Sequence, residues 1–237
     1  MDFFYSKNIS DDFIFLDNIE SKHCIKVLRK TKGDIVHVVD GKGTLYKGKI
    51  MEINLKNCQV KINEVINDYG CNDYYIHIGI SPIKNHDRLE WFLEKSVEIG
   101  IDEISLIKCN RTIRHTIKLE RLYRTAVTAM KQTLKAKIPK INNVVNFDEF
   151  INNCSNKNKF ICHLEESERL DLFSFKKKIK KSKNCSIIIG PEGDFTNKEI
   201  DEAKNYNFMP VTLGDSRLRT ETAGVVACHL MNIINNQ

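Results

Sequence analysis

Three consecutive isoleucines, Ile187-Ile188-Ile189, run directly into Gly190-Pro191-Glu192-Gly193-Asp194-Phe195 and then into Thr196-Asn197-Lys198-Glu199. An unbroken run of β-branched residues suits a strand covered on both faces, the situation of a parallel sheet flanked by helices. The Thr-x-x-Glu spacing is a capping box, which opens a helix. The segment therefore reads as a buried strand, a glycine loop and a helix start. Ligands of open α/β sheets bind beyond the carboxyl ends of strands, and glycines there let backbone groups approach a ligand closely. The loop is neither a GxGxxG dinucleotide loop nor a phosphate loop ending in Gly-Lys-Ser/Thr, which argues against NAD-dependent and nucleotide-hydrolysing chemistry. An ordinary strand-to-helix turn is the other reading of the same residues.

The flanking sequence agrees with an α/β sheet over most of the chain. From Tyr74–Ile80 onward, strands alternate with helices: a helical stripe over Leu89, Phe92, Leu93, Ser96 and Val97 that stops at Gly100, a strand at Glu103–Lys108, and a helix over Leu119–Lys137. Further strands are predicted at Phe160–Leu164, Ser186–Ile189 and Met209–Leu213, with a last helix over Thr222–Ile234. The lysine run Lys176–Lys183 reads as a solvated helix face. The first seventy residues differ. They show short strands at Phe13–Leu16, Ile35–Val39, Thr44–Ile53 and Gln59–Val65, a short helix within Ile19–Lys30, and Asp40-Gly41-Lys42-Gly43 as a hairpin turn. This predicts a small β-barrel or sheet over 1–70 and an α/β domain over 71–237, divided around Gly70.

Composition limits the class of protein. With 237 residues, 41% hydrophobic and 29% charged, the chain is globular rather than fibrous or disordered. No window approaches the roughly 20 apolar residues of a membrane span, and Met1–Ser10 has Asp2 and no apolar core of a leader, so a cytoplasmic location is expected. Eight cysteines, none closer than Cys154 and Cys162, form no CxxC pair and are expected as reduced, buried thiols. No second ligand stands at metal-binding spacing from His23 or His163, so no metal is expected. A net charge of +6 suits a polyanionic partner without requiring one.

A second loop follows the last predicted strand: Leu213-Gly214-Asp215-Ser216-Arg217-Leu218-Arg219-Thr220-Glu221-Thr222-Ala223-Gly224. Two arginines and a glutamate are costly to crowd at a sheet mouth unless they hold something charged or polar; a surface ion pair capping the helix is the alternative. Gly190-Pro-Glu-Gly193, Leu213-Gly214 and Arg219-Thr-Glu-Thr-Ala223 together resemble the ribosomal RNA small-subunit methyltransferase E family, within the SPOUT (trefoil-knot) methyltransferases. The likeness extends upstream. His23-Cys-Ile-Lys-Val-Leu-Arg29, Gly33-Asp34 and Asp40-Gly41 resemble that family's PUA-like barrel, and Lys84-Asn-His-Asp-Arg88 through Gly100 its first catalytic-domain helix.

The resemblance implies a C-terminal α/β trefoil-knot (SPOUT) domain with a small N-terminal PUA-like β-barrel, an obligate homodimer, and S-adenosylmethionine-dependent methylation of N3 of a uridine in small-subunit (16S) ribosomal RNA. By motif, Ile189, Gly190, Pro191, Glu192 and Gly193 form one cofactor loop, Leu213, Gly214, Ser216, Leu218 and Arg219 a second, and His163 with Leu164 a third wall. Three departures stand out. Ser216-Arg217 occupy places where the family has Arg-Ile, Asp194 stands where it has glycine, and Met130-Lys-Gln-Thr-Leu-Lys135 replaces a Glu-Gln-Ser stretch followed by arginine. Any backbone strain at that place must therefore be tolerated by Asp194, and aspartate does visit positive φ.

Uracil N3 becomes strongly nucleophilic only when its proton leaves and charge spreads to O2 and O4. That assigns Arg219 to stabilise the developing anion, Arg217 as a helper, and Glu221 to orient Arg219 or remove the proton, against a plain helix N-terminal carboxylate. Phosphate contacts are assigned to Arg29, Lys30, Arg111, Arg114, Lys131, Lys135 and Arg217, each of which also reads singly as a solvated surface charge. Two other functions remain open: a ribose 2′-O methyltransferase of the same superfamily, and a non-catalytic RNA-binding or ribosome-assembly module.

Overall fold

The computed structural model describes residues 1–114, 116–165 and 169–237. The chain divides into two compact units, Met1–Asn72 with Val127–Ile138, and Asp73–Ala126 with Pro139–Gln237. The first unit holds β1 (Phe3–Tyr5), β2 (Asn8–Ile9), β3 (Phe13–Phe15), α1 (Asn18–Lys22, continued as a π-helical turn to Val27), β4 (Ile35–Val39), β5 (Leu45–Glu52) and β6 (Gln59–Ile66). They form one six-stranded sheet in the order β1-β4-β5-β6-β3-β2, antiparallel except where β1 joins β4. Phe4, Ile14, Leu16, Val36, Val38, Ile50 and Val60 alternate inward to make its core. The β4–β5 hairpin turns where expected, with Gly41 at φ +75° and Gly43 at φ +113°.

Residues 127–138 were expected in the second domain and instead pack with the first unit. The reason lies in backbone and ionic contacts: Gly43 N–H donates to the Ala136 carbonyl, Ile138 N–H donates to the Gly41 carbonyl, and Lys131 pairs with Glu20. The helix predicted to Lys137 ends at Gln132, because Leu134 takes a left-handed conformation at φ +54°.

The second unit holds β7 (Tyr75–Ile80), α2 (His86–Ile99), β8 (Glu103–Lys108), the start of α3 (Leu119–Gln132), β9 (Lys140–Asn146), α4 (Phe147–Asn153), β10 (Asn158–Cys162), β11 (Leu170–Asp171), α5 (Lys176–Ser182), β12 (Asn184–Ile189), α6 (Asn197–Asn205), β13 (Met209–Thr212) and α7 (Thr220–Asn236). Its seven-stranded sheet is parallel throughout, in the order β11-β13-β10-β12-β7-β8-β9. Central β12 lies between β10 and β7, and its isoleucines are buried on both faces. After β13, near one edge, the chain returns to lay α7 against β7, β12 and α2. Gly100 caps α2 at φ +118°, as its position after the apolar stripe predicts.

At their amino ends, β7, β8 and the edge strand β9 share a polar cluster. Tyr75 Oη donates to Glu103 Oε2 at 2.7 Å, while Lys140 Nζ and Asn142 Nδ2 donate to Oε1 at 2.9 and 2.6 Å. Burial by itself raises a carboxyl pKa, but Lys140, Asn142, His77 and Tyr75 outweigh it and hold Glu103 at about 2. A carboxyl depressed below its unfolded value of about 4.3 contributes stability that is complete above that pH and lost as pH falls toward 2. Glu103→Gln is therefore expected to destabilise the protein by about 2 kcal/mol at neutral pH, with the gap to the parent closing between about pH 4.5 and 2. Urea unfolding across that range checks it; a gap that does not change with pH refutes it.

Candidate active site

Four loops meet beyond the carboxyl ends of β7, β10, β12 and β13, all within the second unit. The β12 loop is held from several sides. Asp194 takes the left-handed conformation at φ +62°, which lets its N–H donate to the Pro191 carbonyl at 2.9 Å and close a tight turn. Its carboxylate accepts from Phe195 N–H at 2.8 Å and from Leu164 N–H at 2.7 Å, so it ties the β12 loop to the β10 loop. Asp194 thus bears the positive φ and adds a brace. A Cβ on Gly190 would lie 3.0 Å from the buried Phe195 ring, so a side chain here would have to displace that ring by a few tenths of an ångström. Thr220 Oγ1, at the start of α7, donates to the Gly190 carbonyl at 3.1 Å.

Beyond the loop, the capping box is present: Thr196 Oγ1 accepts from Glu199 N–H at 3.3 Å and Glu199 Oε2 accepts from Thr196 N–H at 2.8 Å. Glu199 Oε1 also accepts from Asn110 N–H at 2.7 Å. On the opposite side, the Glu192 carboxylate accepts from Lys84 N–H at 3.0 Å, just ahead of the Asn85 cap of α2. Along the β13 loop, Thr212 Oγ1 donates to the Gly214 carbonyl at 2.7 Å, and Gly214 sits at φ +118°, outside the range of most side chains.

These loops enclose a cavity of about 810 Å³. Of the twelve residues assigned to the cofactor, His163, Leu164, Ile189, Gly190, Pro191, Glu192, Leu213, Gly214, Ser216, Leu218 and Arg219 line it; Gly193 does not. The Gly193 carbonyl faces elsewhere and accepts from Arg111 Nη1 at 2.7 Å. Arg217 and Glu221 also line the cavity, as do Arg88, Arg169 and Asp194, which sequence reasoning did not assign to the site. Arg88 and Arg169 lie far along the chain from both glycine loops. The available signal for Arg88 was its place just after the helix-capping Asn85; Arg169 carried none.

Charges are unevenly satisfied in the cavity. Buried Glu221 has Arg88 as its ion partner, with Nε 3.6 Å from Oε1, and its Oε2 has no hydrogen-bond partner among the described residues. Glu221, expected to orient Arg219 or to remove the proton, thus has Arg88 as its ion partner here. Arg219 is exposed and makes no side-chain cap to α7. His163 is buried with both ring nitrogens unpartnered, and burial followed by the nearby Arg169 lowers its pKa, so the imidazole is neutral.

The proposed phosphate contacts are dispersed. Arg29 is exposed in a left-handed turn at φ +51°, Lys30 is half-buried beside it, and Arg114 and Lys135 are half-buried. Two others have structural partners: Arg111 braces the Gly193 and Phe195 carbonyls, and Lys131 is committed to Glu20.

Residues 71–232 match the model of an RNA methyltransferase domain and residues 16–63 that of an RNA methyltransferase PUA domain. The chain is 30% identical over 224 residues to ribosomal RNA small subunit methyltransferase E of Buchnera aphidicola, covering 92% of this chain and 86% of that protein. It belongs to the ribosomal RNA small subunit methyltransferase E family. A probable rRNA-methyltransferase from Porphyromonas gingivalis superposes with a TM-score of 0.91 at 36% identity, covering 100% of this chain and 99% of that one. The Neisseria gonorrhoeae family member, bound to S-adenosyl methionine, superposes at 0.86 and 25% identity over 98% and 97% of the two chains. The family's fold is the one described: a SPOUT α/β-knot unit with a PUA-like β-unit.

Proposed function

We propose that this chain uses S-adenosylmethionine to methylate N3 of a uridine in small-subunit ribosomal RNA. The observation that carries the reading is the cavity of about 810 Å³ closed by loops after parallel strands, within the size range of small-molecule sites. Its residues fit a nucleoside-bearing amino acid. Ile189, Pro191, Leu213 and Leu218 supply apolar wall, Gly190 and Gly214 supply close backbone, and neutral His163 offers unpartnered ring nitrogens. The carboxylates of Glu192 and Asp194 complement a cationic ligand.

When bound, the donor supplies a methyl group on a sulfonium, so the protein need not activate a leaving group. The protein's task is to align the acceptor, keep water out and favour the uracil anion. Arg219 and Arg217 line the cavity, which supports their role in meeting the charge that spreads onto O2 and O4. A target base in folded RNA must leave its stack to reach this depth. Exposed or half-buried Arg29, Lys30, Arg114, Lys135 and Arg217 are the phosphate-binding candidates, since Arg111 and Lys131 are held by internal partners. Cytoplasmic location and a homodimer complete the proposal on the family's likeness. Among the described residues no helix is long and apolar enough to cross a membrane.

Calorimetric titration with S-adenosylmethionine and its demethylated product is expected to show about one site per chain, and nucleoside digestion of treated ribosomal RNA to yield 3-methyluridine. Ribose 2′-O-methylation instead would move the reading to the sister activity. Absence of donor binding, with and without RNA, would leave an RNA-binding module.

A further inference from the structure

We propose that Arg88 and Glu221 form a proton-accepting pair for the acceptor base, with Glu221 Oε2 taking the uracil N3 proton and Arg88 holding the carboxylate. The assignment rests on the reading above. Glu221 is 6% exposed, lines the cavity and leaves Oε2 with no hydrogen-bond partner. A buried carboxylate oxygen in that state is costly, and an incoming N–H or O–H donor relieves the cost. Arg88, in the first turn of α2, reaches Glu221 Oε1 at 3.6 Å, outside hydrogen-bond distance, while 42% of its side chain remains exposed. The pair is therefore an ion contact that leaves one carboxylate oxygen for a ligand.

Both helix starts are held in place by backbone contacts. Asn85 Oδ1 accepts from Asp87 N–H at 2.9 Å, and Thr220 fastens α7 to the Gly190 carbonyl. Glu221 is thus presented by a rigid element, as general-base work requires. The proton balance is simple. The N3–H bond breaks, an O–H bond forms on Oε2, and the electron pair stays on N3, delocalised onto O2 and O4; from N3 it forms the new bond to the methyl carbon as the methyl–sulfur bond breaks and its electron pair leaves with the sulfur. Glu221 later returns its proton to solvent. Arg219 and Arg217 face the oxygens in this scheme, while Arg88 is a positioning residue for the base.

The test is steady-state methylation of unmethylated small-subunit ribosomal RNA by the full chain and its Glu221→Gln, Arg88→Ala and Arg88→Lys variants, with donor affinity measured by calorimetry. Glu221→Gln is expected to lower kcat by about 10²–10⁴-fold, the usual worth of a general base, with donor Kd within twofold of the parent. Its rate should climb with pH where the parent's is level, because hydroxide must then take the proton. Arg88→Ala is expected to lower kcat by about tenfold or more with little change in KM, and Arg88→Lys to recover most of it by restoring the charge. Arg88→Ala leaves buried Glu221 without its ion partner and is expected to lower the thermal midpoint, so turnover is compared well below that midpoint, and recovery in Arg88→Lys separates lost charge from lost fold. A tenfold weaker donor Kd in Glu221→Gln overturns the proposal, because the free oxygen would then serve the donor; so does turnover within threefold of the parent in all three variants. A parent that makes no 3-methyluridine overturns the functional reading itself.

Discussion

Arg219→Ala is expected to lower kcat by about 10²–10³-fold while leaving the thermal midpoint within about 1–2 °C of the parent. The two halves of that expectation have separate grounds. Arg219 occupies the N-cap place of α7 through its backbone alone, at φ −69° and ψ 155°, and its side chain makes no cap hydrogen bond. It is exposed at the cavity, so truncation removes no buried surface and leaves no buried group unpaired. Catalytically, a positioned cation beside O2 and O4 acts only as charge develops there, so its loss should appear in kcat rather than in donor affinity. Single-turnover rates with saturating RNA, together with calorimetry of donor binding, separate the two effects. Near-normal turnover in the folded variant would remove Arg219 from the chemistry.

Gly224→Ala should reverse the usual helical sign. Alanine in place of glycine within a helix ordinarily stabilises by about 0.5–1 kcal/mol. Here a Cβ would lie 2.5 and 2.6 Å from two atoms of the Phe92 ring and 3.2 Å from Ile80 Cδ1, and both side chains are fully buried. The ring cannot yield without moving α2 off α7, so overpacking is expected to cost about 1–3 kcal/mol net. That should lower the thermal midpoint by about 2–4 °C per kcal/mol. Because α2 carries Arg88 in its first turn and α7 carries Glu221, the same substitution should reduce turnover even where the protein remains folded. A raised midpoint would show that the two helices do not approach so closely.

Much of the fold was legible in the sequence because its signals are local. The isoleucine run, the Thr196–Glu199 box, Gly100 after an apolar stripe and the glycines of the β4–β5 turn each act within a few residues. The elements missed lack such signals. β1 is three residues long and gains its place by pairing with β4, more than thirty positions away. β9 reads Lys-Ile-Asn-Asn-Val-Val-Asn, polar because it forms a sheet edge where only partial burial is asked of it. Helix α3 stops short of Lys137 because Leu134 turns left-handed and the following residues pair with Gly41 and Gly43, a partnership no periodicity encodes.

The candidate site divides along the same line. Gly190, Glu192, Gly214, Arg217 and Arg219 could be named from the two loops, since a glycine after a buried strand has meaning wherever the strand ends up. The sequence by itself determined that those loops exist and which residue types they offer. Only the tertiary structure decided that β10, β12 and β13 lie side by side, which brings His163 to the same cavity. It also decided that Glu221 faces Arg88 rather than Arg219, and that Arg111 and Lys131 spend their charge on internal partners. The physical reason is that strand order and helix return are set by burial summed over the whole chain, whereas a cap or a turn is set by the conformational limits of the residues that form it.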